Sequence, residues 1–152
     1  MPSLTLSNQL SANLNQWHGT TTAYSEDFDS DDGGFNASGT NASISHDSEN
    51  GLIVVEADAS PGWAWKPIDI SPYTTYNYSA ILAATQLGGG HFNIGTHAIS
   101  APSDLLNRET TSATTYTGTF TTGNNFIVYI SLQTDLDTKI LKWNDISITE
   151  TR

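Results

Sequence analysis

Five carboxylates are crowded into residues 25–35, in the segment Ser-Glu-Asp-Phe-Asp-Ser-Asp-Asp-Gly-Gly-Phe. Carboxylates this close repel one another unless a cation or solvent separates them. Ca²⁺ takes about six to eight oxygen ligands and would turn that repulsion into binding. The stretch therefore predicts a structural calcium site near the start of a β domain. A solvated acidic loop is the alternative, because runs of charge are commonly exposed.

The spacing of Asp27, Asp29 and Asp31 matches the first three ligand positions of an EF-hand loop. The match then fails, because the glycine comes one position late and Ser38 stands where the loop needs a glutamate. The flanking sequence is also not helical in pattern. The sequence therefore does not predict an EF-hand.

Trp63 and Trp65 are two residues apart, so in a β-strand both point to the same face. Flat indole rings stack on the apolar faces of sugar rings, while sugar hydroxyl groups need amide or carboxylate partners. Gln86, Asn93 and Gln133 are candidates for those partners. The alternatives stay open: two tryptophans on one strand face also suit a core, and alternating amides also suit an ordinary solvent-facing surface.

Charge and composition restrict the possible partners. Sixteen acidic and five basic residues give a formal net charge of −11, which repels phosphate backbones and anionic membranes. We therefore expect no nucleic-acid binding and no membrane insertion, and neutral ligands, cations and proteins remain. The chain has no cysteine, which excludes disulfides and thiol chemistry. Residues 1–16 show neither the basic nor the apolar region of a signal peptide.

No pattern of catalytic residues is visible. The chain lacks a nucleotide-binding glycine loop, a Gly-x-Ser-x-Gly element and a cysteine nucleophile. Its carboxylates fall mostly in expected loops, without the paired acid and base that glycoside cleavage needs. The four histidines are scattered without the spacing of a zinc site. We expect the protein not to be an enzyme.

Strand signals recur about every ten residues, with turn residues between them, which favours an antiparallel sandwich. The segments with this pattern are 35–47, 52–56, 63–70, 76–84, 91–96, 110–120, 126–132 and 139–149. Residues 102–109 are the one candidate for a helical turn, with Ser103 as its N-cap. The prediction is an all-β jelly roll of about eight or nine strands over residues 23–152. Residues 1–22 would form a polar N-terminal arm or an edge strand.

Several landmarks resemble one known group of proteins. They are Glu-Asp-Phe-Asp…Gly-Gly-Phe ending at Phe35, Ile-Asp-Ile-Ser-Pro-Tyr-Thr-Thr-Tyr ending at Tyr76, and Trp-Asn-Asp-Ile-Ser-Ile ending at Ile148. This order is similar to the galactose-binding-like jelly roll of carbohydrate-binding modules in families four, nine and twenty-two. The chain departs from that pattern at Phe35, where tryptophan is usual, and at Tyr73, where glycine is usual.

The resemblance implies a calcium ion between the early acidic element and the last strand. Carried over to this sequence, Glu26 or Asp27 and Asp145 would be side-chain ligands, with Asp29 as a third candidate. The metal would then join the first strand to the last one.

These observations lead to two functional hypotheses. The first is a non-catalytic module that binds neutral carbohydrate through Trp63 and Trp65, with structural calcium. The second is a structural or accessory protein of a virion, such as a capsid decoration or tail-fibre subunit, that uses the jelly roll for assembly or adhesion. The expected location is extracellular or in a virion, with other virion or enzyme subunits as further partners.

Overall fold

The protein is described here by a computed structural model. It describes residues 21–38, 42–49, 51–56, 62–86, 90–110, 112–134 and 140–151. These ranges contain eleven β-strands and no helix. The strands are β1 (Thr22–Glu26), β2 (Asn36–Ala37), β3 (Ala42–Asp47), β4 (Gly51–Glu56), β5 (Trp63–Asp69), β6 (Thr75–Gln86), β7 (Gly90–Gly95), β8 (Leu106–Thr110), β9 (Thr114–Thr121), β10 (Ile127–Thr134) and β11 (Ile140–Glu150).

Two antiparallel sheets pack face to face. The six-stranded sheet has the order β3-β4-β11-β6-β9, and β1 also pairs with β11. The five-stranded sheet has the order β2-β5-β10-β7-β8. β11 organises the larger sheet, because β6 runs along one side of it while β4 and β1 share the other side at successive positions.

Alternate residues of both sheets form the core, as the strand period of two requires. Trp143 of β11 and Phe92 of β7 are fully buried, and their ring centroids lie 5.8 Å apart across the interface between the sheets. Tyr78 of β6 stacks on the same Phe92 at 5.5 Å. Each buried side chain of this size stabilises the fold by about 1.5–3 kcal/mol, so these rings are a major part of what holds the layers together.

The predicted all-β sandwich is confirmed. The predicted helical turn at 102–109 is wrong, because Leu106–Thr110 forms β8, in which Leu106 pairs with Ile94. Short polar segments such as β8 gain their strand structure from a neighbour, which a local pattern does not show. The strand count therefore exceeds the predicted eight or nine. The predicted arm, residues 1–22, lies outside the described residues except for its last two.

The two departures from the family pattern are accommodated. Phe35 is 5 % exposed and lies 6.0 Å from the Phe28 ring, so it keeps the role of an aromatic core anchor. Tyr73 adopts a φ of 53°, the left-handed conformation that a glycine would enter freely. Its backbone NH donates to the carbonyl of Gly123. The turn thus keeps its shape with a tyrosine in place of glycine.

Candidate functional site

β5 presents its two tryptophans on the outer face of the five-stranded sheet. Ala64 and Ile68 of the same strand are buried in the core, so the alternating positions Trp63 and Trp65 point away from it. Both tryptophans are half-buried. The prediction that they share a face is therefore confirmed, and neither is part of the core cluster.

The strand register surrounds the tryptophans with polar side chains, because directly paired residues of antiparallel strands project to the same face. One row crosses the sheet as Trp63, Gln133, His91 and Glu109, and the next as Trp65, Ser131, Asn93 and Asn107. Tyr129 lies two residues before Ser131 on β10, so it points to the same side of the sheet. We call this set of nine residues the tryptophan face.

Contacts within the tryptophan face hold its side chains in place. The rings of Trp65 and Tyr129 lie 5.9 Å apart at 58°, a tilted aromatic pair. Asn93 Nδ2 donates to Gln133 Oε1 at 3.4 Å, and His91 Nδ1 lies 3.0 Å from an oxygen of Asn107. The face therefore combines an aromatic side on β5 and β10 with an amide-rich side on β7 and β8.

Two buried polar atoms of the face have no hydrogen-bond partner among the described residues. They are Asn93 Oδ1, in a side chain that is 1 % exposed, and Trp63 Nε1. A buried acceptor or donor left unpaired costs about 1–3 kcal/mol. Both atoms lie below the surface of the face, whereas the partly exposed amide of Gln133 is accessible to a hydroxyl-rich molecule.

The segment between β7 and β8 lies over part of the face, at the fully buried Ser131. Ser131 Oγ donates to the carbonyl of Ala98 at 3.0 Å, which ties this segment over β10. Asp104 accepts from the Thr96 backbone NH at 2.7 Å and from its hydroxyl at 2.6 Å. A Cβ on Gly95 would lie only 2.1 Å from the carbonyl oxygen of Ala101, so only glycine permits this close approach.

Four of the five predicted ligand-binding residues come together on this face. They are Trp63, Trp65, Asn93 and Gln133. Gln86 does not join them, because it lies at the end of β6 in the other sheet, paired with Ile140. Their role in binding stays a prediction.

Sequence reasoning missed the aromatic Tyr129, together with His91, Asn107 and Glu109. For Tyr129 a signal was present, since it has the same strand parity as Gln133, which was singled out. For the residues of β8 no local signal existed, because their segment has the pattern of a helical turn.

Most carboxylates of the acidic stretch accept hydrogen bonds from backbone NH groups of their own loop. Asp27 accepts from the backbone NH of Asp29 at 3.1 Å, and Asp31 accepts from that of Gly33 at 2.7 Å. Asp32 does the same for Gly34 at 2.9 Å. These are local turns of the kind that aspartate side chains commonly form.

The register separates the two predicted halves of the calcium site. Glu26 pairs with Ile146, which is buried, so its side chain lies on the core side of the sheet. Asp145 instead pairs with Ile81 on the outer side, since Ala80 and Leu82 face inward. No group of three His, Asp or Glu side chains suited to a metal occurs within the described ranges. This donor set does not fit the implied ion, and calcium binding itself stays a prediction.

A lysine reaches the acidic stretch from the other sheet. Lys66 Nζ donates to the carbonyl of Gly33 at 2.6 Å and lies 5.7 Å from the centre of the Tyr24 ring. Burial, followed by the nearby carboxylates of Glu26 and Asp31, raises the pKa of the Tyr24 hydroxyl above its usual range. Positive charge is therefore supplied here by a side chain of the protein.

Known structures share this architecture at low sequence identity. The xylan-binding domain of a Paenibacillus barcinonensis xylanase is 11% identical, with a TM-score of 0.63, over 88% of this chain and 96% of that one. The cellulose-binding domain of a Cellulomonas fimi β-1,4-glucanase is 19% identical, with a TM-score of 0.59, over 82% and 93%. An adhesin domain of the Porphyromonas gingivalis Lys-gingipain is 12% identical, with a TM-score of 0.55, over 85% and 99%.

The fold is the jelly roll of carbohydrate-binding modules. The resemblance drawn from the sequence landmarks is thereby confirmed at the level of the fold. No protein-family model matches the sequence, and neither does any curated protein. Among the described residues, no helix has the length and apolar character needed to cross a membrane.

Proposed function

We propose that the protein is a non-catalytic carbohydrate-binding module that holds a neutral glycan on the tryptophan face. The observation that carries this proposal is the convergence of Trp63, Trp65, Asn93 and Gln133 on one outer sheet surface. The similarity to a xylan-binding and a cellulose-binding domain supports it at the level of the fold.

The face has the two kinds of groups that a sugar needs. The half-buried rings of Trp65 and Tyr129 offer apolar surface for the C–H side of a pyranose. The amide of Gln133 lies one strand from Trp65, is partly exposed and offers hydrogen bonds to hydroxyl groups. Asn93, two strands from Trp65, is 1 % exposed, and its Nδ2 bond positions the Gln133 amide.

Charge favours a neutral glycan over a polyuronate. The carboxylates of Glu109 and Asp69 lie on the outer surface of this sheet and are exposed. The ammonium of Lys66 is turned to Gly33, and Arg108 Nε donates to the Tyr78 hydroxyl at 2.7 Å. A uronic acid would therefore meet like charge on a molecule that already carries −11.

The geometry of the exposed carboxylates supports a non-catalytic role. Asp69 lies on β5 and Glu109 on β8, with β10 and β7 between them. Three strand spacings amount to roughly 14 Å. Glycoside cleavage needs two carboxyl groups about 5–9.5 Å apart, so this pair is too far apart to act together. We also propose an extracellular location, where polysaccharides are available.

The test is binding to a panel of soluble polysaccharides, followed by gel retardation and calorimetry. We expect retention on neutral β-glucans or xylans and none on polygalacturonate or alginate at low salt. Replacing both Trp63 and Trp65 by alanine should abolish retention while the melting temperature changes little, since both lie outside the core.

Phe126→Ala is the matched control, because Phe126 is 70 % exposed but does not belong to the tryptophan face. It should bind as the unchanged protein does. The proposal fails if no neutral glycan is retained, or if the control and the double variant lose binding equally.

A second candidate function is assembly, as expected for a virion subunit or adhesin, and one observation favours it. β9 is an edge strand of eight residues without charge or proline, whereas β8 carries Arg108 and Glu109 and β2 has two residues. Long uncharged edges are prone to pair with another strand.

Sedimentation of the full chain tests this second function. Assembly through β9 predicts a stable oligomer that Thr119→Lys dissociates. Asn77→Lys is the control, because it adds the same charge on β6, one strand in from the edge, at the position that pairs with Thr119. A monomer at all concentrations would exclude assembly through this edge.

A further inference from the structure

Lys66 points in the opposite direction from the tryptophans that flank it on β5. It has the strand parity of Ala64 and Ile68, both of which are buried in the core. Its stem therefore passes between the two sheets, and it is half-buried. A lysine at such a position usually carries its ammonium to a specific partner, because an unpaired charge between layers is costly.

The partner of Lys66 is the acidic stretch. The 2.6 Å contact from Nζ to the Gly33 carbonyl is a short, charge-assisted hydrogen bond. The same ammonium lies over the ring of Tyr24 on β1, at 5.7 Å from its centre. One side chain of the five-stranded sheet thus contacts both the first strand of the other sheet and the loop that follows it.

The loop is shaped to present that carbonyl. Asp31 and Asp32 cap the backbone NH groups of Gly33 and Gly34, and both glycines have positive φ values of 64° and 68°. A Cβ on Gly34 would lie 3.0 Å from Lys66 Nζ, so the ammonium fits closely against the turn. Burial, followed by the nearby negative side chains of Glu26 and Asp31, raises the pKa of the Tyr24 hydroxyl.

We propose that the ammonium of Lys66 is the resident cation of residues 25–35. It places a positive charge beside the loop through the Gly33 carbonyl and ties the first strand to the five-stranded sheet, the kind of role that the family resemblance assigns to calcium. The folded protein then needs no metal at this place. A variant without the ammonium of Lys66 should therefore be stabilised by an external cation.

The test compares melting temperatures of the full chain with and without calcium and chelator. Lys66→Met should lower the melting temperature by about 4–8 °C, the shift expected when one charge-assisted hydrogen bond is lost in a domain of this size. Lys142→Met is the control, since Lys142 is equally half-buried but lies on the outer side of β11. It removes the same charge and should change the melting temperature by about 1 °C or less.

The effect of added cations on the melting temperature distinguishes this electrostatic role of Lys66 from a role of its side chain in packing alone. The unchanged protein should melt at the same temperature in EDTA and in millimolar CaCl₂. Lys66→Ala should recover part of its loss in millimolar CaCl₂ or methylammonium chloride, and Lys66→Arg should lose less than Lys66→Met. A drop in the melting temperature of the unchanged protein on chelation would overturn the proposal, as would equal losses for Lys66→Met and Lys142→Met. Glycan binding is independent of these outcomes.

Discussion

The outer faces of the two sheets have the same backbone geometry but differ in chemistry where β6 pairs with β9. On the six-stranded sheet, paired outward positions of β9 and β6 are Thr117 with Ser79 and Thr119 with Asn77. Their side chains are small and polar, with no orphaned buried atom among them. On the five-stranded sheet, the tryptophan face combines large rings with an amide that is 1 % exposed and whose oxygen has no partner among the described residues.

The two outer surfaces therefore differ in how well water solvates them. A threonine surface satisfies its hydroxyl groups with water and leaves nothing for a ligand to improve. A face with half-buried rings is less well solvated, so under the proposed function a ligand that covers the rings gains by removing apolar surface from water. The same strand alternation therefore produces one surface that interacts with water and another that carries the proposed glycan site.

The largest expected effect comes from removing one ring. Trp65→Ala should raise the Kd for a retained glycan tenfold to a hundredfold, or about 1.4–3 kcal/mol, because a central aromatic side chain commonly dominates a binding site. The double variant Thr117→Ala and Thr119→Ala on the other sheet should leave the Kd unchanged. Calorimetry with one oligosaccharide measures both, and a loss in the threonine variant would break the comparison.

A smaller effect on binding, with little effect on stability, is expected at Asn93. Asn93→Leu removes a buried oxygen that has no partner among the described residues, together with the Nδ2 bond to Gln133, so the free energy of unfolding should change by about 1 kcal/mol or less. The same variant frees the Gln133 amide and should weaken glycan binding about tenfold, a typical cost for losing one well-placed hydrogen bond in a binding site. Urea unfolding and calorimetry measure the two quantities. Asn77→Leu on the other sheet should change neither, and a parallel fall of stability and affinity in Asn93→Leu would contradict the idea.

The smallest effect on binding is expected from Tyr24→Phe, which should leave the Kd unchanged. The pKa of Tyr24 is raised in the folded protein by burial and by the carboxylates of Glu26 and Asp31. Stability from this source is complete below pH about 10, the unfolded value, and is lost as the pH rises toward the folded value. Thermal melts from pH 8 to 11.5 should show a steeper alkaline loss in the unchanged protein than in Tyr24→Phe. Identical pH profiles would contradict this.

Much of the fold was predictable because its strands carry strong local signals. The segments 126–132 and 139–149 were predicted as strands, and they contain most of β10 and β11, in which Leu132 and Trp143 are buried. β8 was not predictable, since its strand structure depends on pairing with β7, a contact set by the whole chain. The turn at Tyr73 was recognisable as a turn, but its positive φ in a non-glycine residue depends on the neighbouring loop at Gly123.

The candidate site was predictable in part for the same reason. A spacing of two placed Trp63 and Trp65 on one face. Asn93 and Gln133 join them through the β10 register, which no local pattern encodes, and the topology puts Gln86 in the other sheet. The calcium prediction treated Glu26 and Asp145 as neighbours. Their strands do pair, but adjacent positions in a strand point to opposite sides.

The segment between β7 and β8 has a consequence for where a polymer is able to lie. It is tied to Ser131 through Ala98 and pressed on Gly95, so it covers the row that contains Asn93 and Ser131, which are 1 % and 0 % exposed. The next row, with Trp63, Gln133 and His91, keeps partly exposed side chains. A glycan on the proposed site would therefore lie along that row, across the strands.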